Sequence, residues 1–351
     1  MIRPLVLGLA AALLLGCVPG PAHPPRSTPV ALAEPTATPT PRPLALPGDE
    51  APHRDLTEWW YYTGHLDAAD GRQYGFELVV FQSVRGAGPV GYAAHFAVTD
   101  LPRRRFAYDQ RTALGSQIDP AGGVGGFDLA VGGWRMRGLD GRDHLSAQMD
   151  GYGVDLALVG EKPPALHNRV GLISFGPAGD SYYYSRTRMS VTGSLTVDGV
   201  EGPVTGVAWM DHQWGNFISA GGGWDWFSIQ LDDRTELTGS VVRGDGGEPL
   251  LVYGTYVDAE GRAHHLDADG FRAEPLDRWT SPTTGATYPA RWRIRTAVPA
   301  LDLEVTPLLP DQELNARAST GTVYWEGAVQ VTGSRSGRGY VELTGYGPRV
   351  G

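Results

Sequence analysis

Two short runs decide the fold class of this chain: Arg291-Trp292-Arg293-Ile294-Arg295 and Leu301-Asp302-Leu303-Glu304-Val305. In both runs apolar side chains alternate strictly with charged ones. Because successive side chains of a strand point to opposite faces, this period of two predicts strands with one apolar face and one solvated face. Strands of that kind are typical of antiparallel sheets.

The same pattern extends outward over most of the chain. Further β-rich runs cover residues 74–84, 92–99, 189–197, 250–257 and 323–331. Turn dipeptides bound the strands at Asp70-Gly71, Asp140-Gly141, Asp198-Gly199 and Glu260-Gly261. After the leader no segment keeps an amphipathic helical period over three turns. We therefore predict an all-β fold built from antiparallel barrels or sandwiches.

The N-terminus has the features of a secretory signal. Arg3 precedes an apolar stretch, residues 5–15, that is too short to remain as a membrane span. Its end, Leu14-Leu15-Gly16-Cys17, is similar to a bacterial lipobox, in which the chain is cut before the cysteine and the sulfur is acylated. Cys17 is the only cysteine of the sequence, which rules out an internal disulfide. We predict lipidation at Cys17, the alternative being a chance cysteine in an ordinary signal peptide.

The remaining chain divides by composition. Residues 1–17 are the predicted signal peptide and lipobox, and residues 18–47 are a tether of Pro, Ala and Thr that cannot bury enough surface to fold. The body divides into residues 48–218 and 219–351, because the small residues around Gly221-Gly222-Gly223 interrupt the strand pattern. We expect a cell-envelope lipoprotein that is anchored in the membrane and faces away from the cytoplasm. The net charge of -10 and the lack of a basic stripe argue against a nucleic-acid partner.

Three segments combine aromatic and ionisable residues: Glu58-Trp59-Trp60-Tyr61-Tyr62-Thr63-Gly64-His65, Trp209-Met210-Asp211-His212-Gln213-Trp214 and Trp224-Asp225-Trp226-Phe227. Burial among indoles shifts the pKa values of carboxyl and imidazole groups, which makes them candidates for acid–base chemistry. In an extended segment, His212 and Trp214 share one face while Asp211 lies on the other, so Asp211 and His212 cannot form a direct dyad. The alternative is that these segments are aromatic core strands with polar tips.

Other catalytic signatures are absent from the sequence. It contains no Gly-x-Ser-x-Gly elbow, and neither a His-Glu-x-x-His motif nor paired cysteines offer a zinc site. We therefore expect acid–base chemistry without a metal or nucleotide cofactor. The catalytic candidates are His212, Asp211 and Trp214. The candidates for ligand binding are Glu58, Trp59, Trp60, Tyr61, His65, His95, Trp209, Trp224 and Trp226.

The aromatic segments, together with Ala94-His95-Phe96 and Tyr184-Ser185-Arg186-Thr187-Arg188, resemble the AttH-like and carotenoid 1,2-hydratase family. This family includes predicted secreted hydrolases and is related to kievitone hydratase and to lipocalin-like Diels–Alderases. The resemblance covers about residues 48–351. It implies two lipocalin-like β domains with a pocket near the second barrel and the interface. It also implies a hydratase-like role for His212 and Trp214.

Two classes of function follow. An enzyme would act on a hydrophobic, isoprenoid- or polyketide-like molecule by hydration, isomerisation or cyclisation, with a buried acid protonating an alkene and indoles stabilising the cation. The alternative is a non-catalytic, lipocalin-like carrier of a lipophilic ligand. Asp211, Asp225 and Asp232 are candidates for the acid. Residues 237–242 lack the Tyr-x-Asp of the carotenoid hydratases, which argues against carotenoid hydration itself. We expect the three segments and His95 to line one cavity, with His212 and Trp214 pointing into it.

Overall fold

The computed structural model of the chain describes residues 42–115, 125–217 and 222–347. Regular structure in these ranges is β, apart from two short 3-10 turns at Gly48–Glu50 and Gly176–Ala178. The predicted all-β fold is confirmed, with one nearly closed barrel and one half-barrel. Within the same ranges no helix is long and apolar enough to cross a membrane.

The first sheet contains twelve strands of the described residues, paired antiparallel in the order β4-β3-β2-β1-β12-β11-β8-β7-β6-β5, with β9 and β10 both on β11. Their bounds are β1 Thr57–Ala68, β2 Gln73–Ser83, β3 Val90–Asp100, β4 Arg105–Gly115, β5 Phe127–Val131, β6 Trp134–Leu139, β7 Arg142–Met149, β8 Tyr152–Gly160, β9 Ala165–Leu166, β10 Leu172–Ser174, β11 Asp180–Val197 and β12 Val200–Gly215.

The second sheet contains ten strands of the described residues in the order β16-β15-β14-β13-β22-β21-β19-β18-β17, with β20 on β21. Their bounds are β13 Trp224–Leu231, β14 Glu236–Arg243, β15 Pro249–Val257, β16 Ala263–Leu266, β17 Phe271–Thr280, β18 Thr287–Thr296, β19 Leu301–Pro307, β20 Glu313–Ala316, β21 Thr322–Gly333 and β22 Gly337–Leu343.

The turn signals of the sequence lie where the chain reverses. Asp140 and Gly141 have φ values of 50° and 68°, and Asp198 and Gly199 have values of 50° and 79°. Two consecutive residues with positive φ form the type I′ turn that matches the twist of a hairpin, and Asp-Gly is a favoured sequence for it. These dipeptides join β6 to β7 and β11 to β12, as the sequence predicts.

The end strands of the first sheet, β4 and β5, come into contact as the sheet curls. Arg111 of β4 reinforces this closure, because its guanidinium donates to the carbonyl of Gly132 and, at 2.9 Å, to that of Gln148. The same group lies 4.3 Å from the ring centre of Trp134. The interior holds a large apolar core that includes Trp60, Phe96, Leu156 and Trp214.

The two sheets meet through the outer face of the first. Strands β1 and β2 contact β22 and β21, and β11 contacts β13. A separate aromatic cluster fills this interface, and it includes Tyr61, Trp209, Trp226 and Tyr340. The interface therefore brings parts of all three aromatic segments of the sequence together.

Several predictions about the chain ends and domains stay open. The predicted signal peptide, Cys17 and residues 18–41 of the predicted tether lie outside the described residues. Every strand of residues 57–215 belongs to the first sheet and every strand of residues 224–343 to the second. The described residues all belong to one compact unit. A division into domains at residues 218 and 219 remains our proposal.

Candidate active site between the two sheets

Strand pairing places the first and second aromatic segments side by side. In the β1–β12 pair, Tyr61 lies directly opposite Asp211, and Trp59 lies opposite Gln213. Because side chains alternate along each strand, these four residues share the outer face of the first sheet. Phe81 of β2 is the register partner of Trp59 and extends this face. A polar and aromatic surface therefore faces the second sheet.

A cavity of about 90 Å³ lies between the sheets, enough for several water molecules. Both sheets contribute to its lining, which consists of Trp59, Tyr61, Glu77, Phe81, Phe175, Tyr183, Asp211, Gln213, Phe217, Trp224, Trp226, Ser240, Val242, Tyr253, Tyr324 and Glu342. Among these described residues there is no lysine, arginine or histidine. The acidic groups that line this aromatic cavity are the carboxyls of Glu77, Asp211 and Glu342.

The three carboxyls differ in their hydrogen bonds. Asp211 accepts from the indole N–H of Trp209 at 2.7 Å and from the hydroxyls of Ser185 and Tyr183. Both of its oxygens are therefore occupied, as suits an ionised carboxylate.

The two glutamates each leave one oxygen uncommitted. Glu342 accepts from the indole N–H of Trp224 at 2.9 Å through Oε2 only. Glu77 accepts from the Tyr324 hydroxyl at 3.0 Å through Oε1, while its Oε2 is buried with no partner among the described residues. Each glutamate therefore has one oxygen that makes no hydrogen bond with the described residues.

Burial is the main cause that raises the pKa of all three carboxyls. The pKa of Asp211 rises only to about 6, because its hydrogen bonds to Ser185, Tyr183 and Trp209 favour the ionised form. The pKa of Glu342 rises to about 7 by burial and, in addition, by the nearby charge of Asp211. Burial and the charge of Glu342 raise the pKa of Glu77. The cavity can therefore hold a carboxylate and a carboxylic acid near neutral pH.

A fourth carboxyl lies behind the lining. Glu326 accepts from the Tyr61 hydroxyl at 2.8 Å, and its second oxygen is buried without a partner in the described part of the chain. Burial and the charges of Glu77 and Glu342 raise its pKa well above the usual range. This residue therefore favours the protonated form and adds no full negative charge to the cavity.

Aromatic rings complete the walls. Trp226 makes edge-on contacts with Tyr61 and Trp209, at ring-centre distances of 5.2 and 6.3 Å. Its indole N–H donates to the Tyr183 hydroxyl at 3.0 Å, and that hydroxyl in turn donates to Asp211. The ring and the carboxylate are thus held by one hydrogen-bonded chain. Indole faces near a ligand can stabilise positive charge.

His212 and Trp214 do not line this cavity, and the expectation that they point into it is wrong. Both lie on the inner face of the first sheet, where Trp214 belongs to the apolar core. Strand alternation is the physical reason: once Asp211 faces the second sheet, its neighbour His212 must face the interior. Glu58 and Trp60 lie on the inner face for the same reason. Their predicted roles in binding or catalysis remain predictions.

His212 instead belongs to a buried cluster that could be considered as a metal site. Side-chain nitrogen and oxygen atoms of His53, Glu58 and His212 lie within 4.8 Å of one another. Glu58 Oε1 lies 2.8 Å from a ring nitrogen of each histidine, and Oε2 accepts from Gln82 at 2.9 Å and from the His53 backbone at 2.8 Å. Hydrogen bonds therefore satisfy the carboxylate without a metal. The His53 ring also stacks on Trp214 at 4.1 Å, which attaches the N-terminal segment to the barrel.

The remaining sequence candidates divide between the cavity and its surroundings. Trp59, Tyr61, Asp211, Trp224 and Trp226 line the cavity. The others do not line it: His65 bonds the Gly339 carbonyl at 3.0 Å, His95 lies beside Tyr324, Trp209 donates to Asp211, Asp225 pairs with Arg243 at 2.6 Å, and Asp232 is exposed in a turn.

The sequence reasoning missed Glu77, Glu326 and Glu342. Each is a single acidic residue inside an apolar strand: Phe76-Glu77-Leu78, Trp325-Glu326-Gly327 and Val341-Glu342-Leu343. A lone carboxyl in such a strand is a signal for a buried polar site, since an ionised group is costly to bury without a partner. This signal is weaker than that of the three aromatic segments, because each carboxyl stands alone in its strand.

The chain belongs to the AttH-like family, whose profile matches residues 37–346. It is 33% identical to an AttH-type protein from Nitrosomonas europaea, whose crystal structure superposes with a TM-score of 0.79. That match covers 89% of this chain and 99% of the other. The resemblance read from the aromatic motifs is thereby confirmed.

More distant structures share the fold. Kievitone hydratase from Nectria haematococca is 18% identical, with a TM-score of 0.69, and the match covers 86% of this chain and 93% of that one. CghA in complex with Sch210972 is 13% identical, with a TM-score of 0.59 and coverage of 89% and 96%. No curated protein sequence matches the chain.

Proposed function

We propose that this protein is an enzyme that carries out acid–base chemistry on a hydrophobic small molecule bound between its two sheets. The observation that carries the proposal is the pair of glutamates, Glu77 and Glu342, that line an aromatic cavity with raised pKa values and one uncommitted oxygen each. Buried groups with shifted pKa values in a cavity are a mark of acid–base catalysis.

Glu77 is the residue we assign as the general acid. Its raised pKa keeps the carboxyl protonated, and Oε2 is the oxygen that has no partner among the described residues. In the proposed reaction this proton passes to one carbon of a ligand C=C bond, the π electrons form the new C–H bond, and the other carbon becomes cationic. A proton donor of this kind contributes ~10²–10⁴-fold to a rate.

Glu342 is the residue we assign as the general base. It ionises near pH 7, the value of its raised pKa. As a carboxylate it takes a proton from water that attacks the cation, which gives hydration, or from a neighbouring carbon, which gives isomerisation. The carboxylate of Asp211 and the indoles of Trp224 and Trp226 stabilise the cation, with ~2 kcal/mol or more expected from each desolvated ring.

The name of one relative supports this class of reaction. One structural relative is a hydratase, kievitone hydratase, and another, CghA, has been crystallised with Sch210972. We propose hydration, isomerisation or cyclisation of an isoprenoid- or polyketide-like molecule. The second candidate function is that of a carrier for a lipophilic ligand. The enclosed aromatic walls alone would be sufficient to bind such a ligand.

Mass spectrometry and a substrate screen test the proposal. Native mass spectrometry of protein purified from its own host identifies a co-purified lipophile, and that compound and related terpenoids, polyenes and prenylated aromatics are then incubated with the protein. We expect conversion of at least one compound, with a gain of water or a shifted double bond. Tight binding of ligands that all remain unchanged would favour the carrier.

We also propose that the protein is a lipoprotein of the cell envelope, anchored through Cys17. The support is the Leu14-Leu15-Gly16-Cys17 sequence that ends the apolar leader. The change Cys17→Ala should abolish lipidation and release the protein from the membrane fraction, or leave the leader uncleaved. Processing and fractionation like those of the wild type would contradict this proposal.

A further inference from the structure

A line of hydrogen-bonding side chains leads from the cavity to the protein surface. Glu77 Oε1 lies 3.0 Å from the Tyr324 hydroxyl, which lies 2.6 Å from Nδ1 of His95. Nε2 of His95 lies 2.9 Å from the Ser319 hydroxyl, which donates to the Gln110 side chain at 2.8 Å. Glu77, His95 and Tyr324 are buried, whereas Ser319 and Gln110 are partly exposed. The line is therefore continuous from the cavity to solvent.

We propose that Tyr324, His95 and Ser319 form a proton relay that returns a proton from solvent to Glu77 after Glu77 has protonated the ligand. This inference rests on the proposed function, in which Glu77 is the acid. The three relay residues lie outside the reacting centre and would regenerate the acid.

The donor and acceptor count of the line fits this role. While Glu77 holds its acid proton on Oε2, the Tyr324 O–H donates to Oε1 of Glu77, the Nδ1–H of His95 donates to Tyr324, and the Ser319 O–H turns from Gln110 to Nε2 of His95. Every group between the two ends of the line then donates one hydrogen bond and accepts one. The same set can reverse direction, which a chain of hydroxyls and an imidazole permits.

The proton balance of one cycle is simple. Glu77 loses a proton to the ligand and becomes a carboxylate. Tyr324 passes its proton to Glu77, His95 passes the Nδ1 proton to Tyr324, and Ser319 passes its proton to Nε2 while it takes one from a solvent acid. One proton enters at Ser319 and one leaves Glu77, so each relay group ends with the number of protons it began with. The proton of His95 has moved from Nδ1 to Nε2, and it returns to Nδ1 before the next cycle.

His95 is suited to the central position. Burial lowers the pKa of its imidazole to about 4, so the ring is neutral at neutral pH and carries a proton on one nitrogen. A neutral imidazole between two hydroxyls accepts at one nitrogen and donates from the other. A charged ring, with protons on both nitrogens, would interrupt the line.

The alternative is that the line only connects the sheets, since His95 belongs to β3 and Tyr324 to β21. A structural link would stabilise the fold without moving protons. Proton exchange at Glu77 separates the two roles, because a purely structural link does not set the rate at which a buried acid exchanges with solvent.

The test uses infrared spectroscopy of the ligand-free, full-length protein after rapid mixing with D₂O. The C=O band of the protonated Glu77 carboxyl is identified by its loss in Glu77→Gln, and its shift on deuteration gives the exchange rate. We expect Ser319→Ala and His95→Phe to slow this exchange by about tenfold or more, because each interrupts the line. Thr320→Ala, which removes an adjacent hydroxyl that bonds Thr322 instead, should exchange like wild type.

Wild-type exchange rates in both Ser319→Ala and His95→Phe would overturn the relay, as would the lack of a Glu77 acid band in the wild type. Ser319 is partly exposed, so its variant tests the relay even if His95→Phe fails to fold. The readout needs no substrate. Relay-dependent exchange in a protein that converts no compound would contradict the proposed function and leave the relay standing.

Discussion

Glu326 of β21 lies directly opposite Glu342 of β22, so two carboxyls are register partners in the second sheet. Like charges in such positions repel each other. Burial and the charges of Glu77 and Asp211 also raise the pKa of Glu326. The Tyr61 hydroxyl lowers this pKa through a hydrogen bond and carries no charge. Protonation of one of these carboxyls removes the repulsion. A carboxyl that keeps its proton beside an aromatic cavity can act as an acid catalyst.

The first prediction concerns stability and the Glu326→Gln variant. Because the folded-state pKa of Glu326 lies well above its usual 4.5, the folded protein holds a proton that the unfolded chain releases as the pH rises. This group therefore costs stability progressively above pH ~4.5, by ~1.4 kcal/mol per unit of pKa shift. In urea unfolding, the free energy of unfolding of the variant should increase relative to that of the wild type from pH 5 to pH 8. A constant difference between the two free energies of unfolding over this pH range would contradict the raised pKa of Glu326.

The second prediction separates the barrel interior from the cavity. His212→Ala removes a donor from the buried Glu58 and leaves a void between Trp60 and Trp214, so the free energy of unfolding should fall by roughly 3 kcal/mol. We expect turnover per folded molecule to be retained, because His212 does not line the cavity. Urea unfolding and kinetics measure the two effects. A loss of ~10²-fold or more in turnover, with the fold intact, would support the catalytic role predicted from the sequence.

The third prediction concerns the aromatic wall. Trp226→Phe removes ring area and the N–H that bonds Tyr183, so ligand affinity should fall by about 5- to 30-fold, which corresponds to ~1–2 kcal/mol. Trp292→Phe is the matched control, since Trp292 is buried in the apolar core of the second sheet against Phe227 and does not line the cavity. Isothermal titration with the co-purified ligand measures both. Equal affinities for the two variants would place the ligand elsewhere.

The fourth prediction is a pH profile. Since Glu342 must be ionised and its pKa is raised to about 7, kcat/KM should increase as the pH rises through about 7. The rate should decrease at higher pH, when Glu77 loses its proton. The charge of Asp211 contributes to the raised pKa of Glu342, so Asp211→Asn should move the acidic limb to lower pH. An acidic limb that stays in place or moves upward would contradict this coupling.

The sequence predicts the strands well because their signals are local. The alternation of apolar and charged side chains in residues 291–305 predicts that Trp292 and Ile294 share the apolar face of a strand, and both are buried. The same rule correctly separates Asp211 from His212. It cannot say which of the two faces meets the second sheet, because that depends on the pairing of strands far apart in the chain, such as β1 with β12 and β13 with β22.

The site is harder to predict for the same reason. Its acids come from three strands that are distant in sequence, with Glu77 on β2, Asp211 on β12 and Glu342 on β22. Only Asp211 lies in an aromatic motif dense enough to attract attention. A single acidic residue in an apolar strand suggests a buried carboxyl, but its neighbours are defined only by the packing of the two sheets.

Whether Glu77 is the acid is tested most directly by the turnover of Glu77→Gln, compared with wild type and with Glu313→Gln, on a compound that the wild type converts. Glu313 is a buried carboxyl outside the cavity, bonded by Ser281, Thr284 and Tyr288. We expect Glu77→Gln to bind the compound yet to lose ~10²–10⁴-fold in kcat, while Glu313→Gln keeps its rate per folded molecule. Wild-type kcat in a folded Glu77→Gln protein would contradict the claim that this carboxyl is the acid.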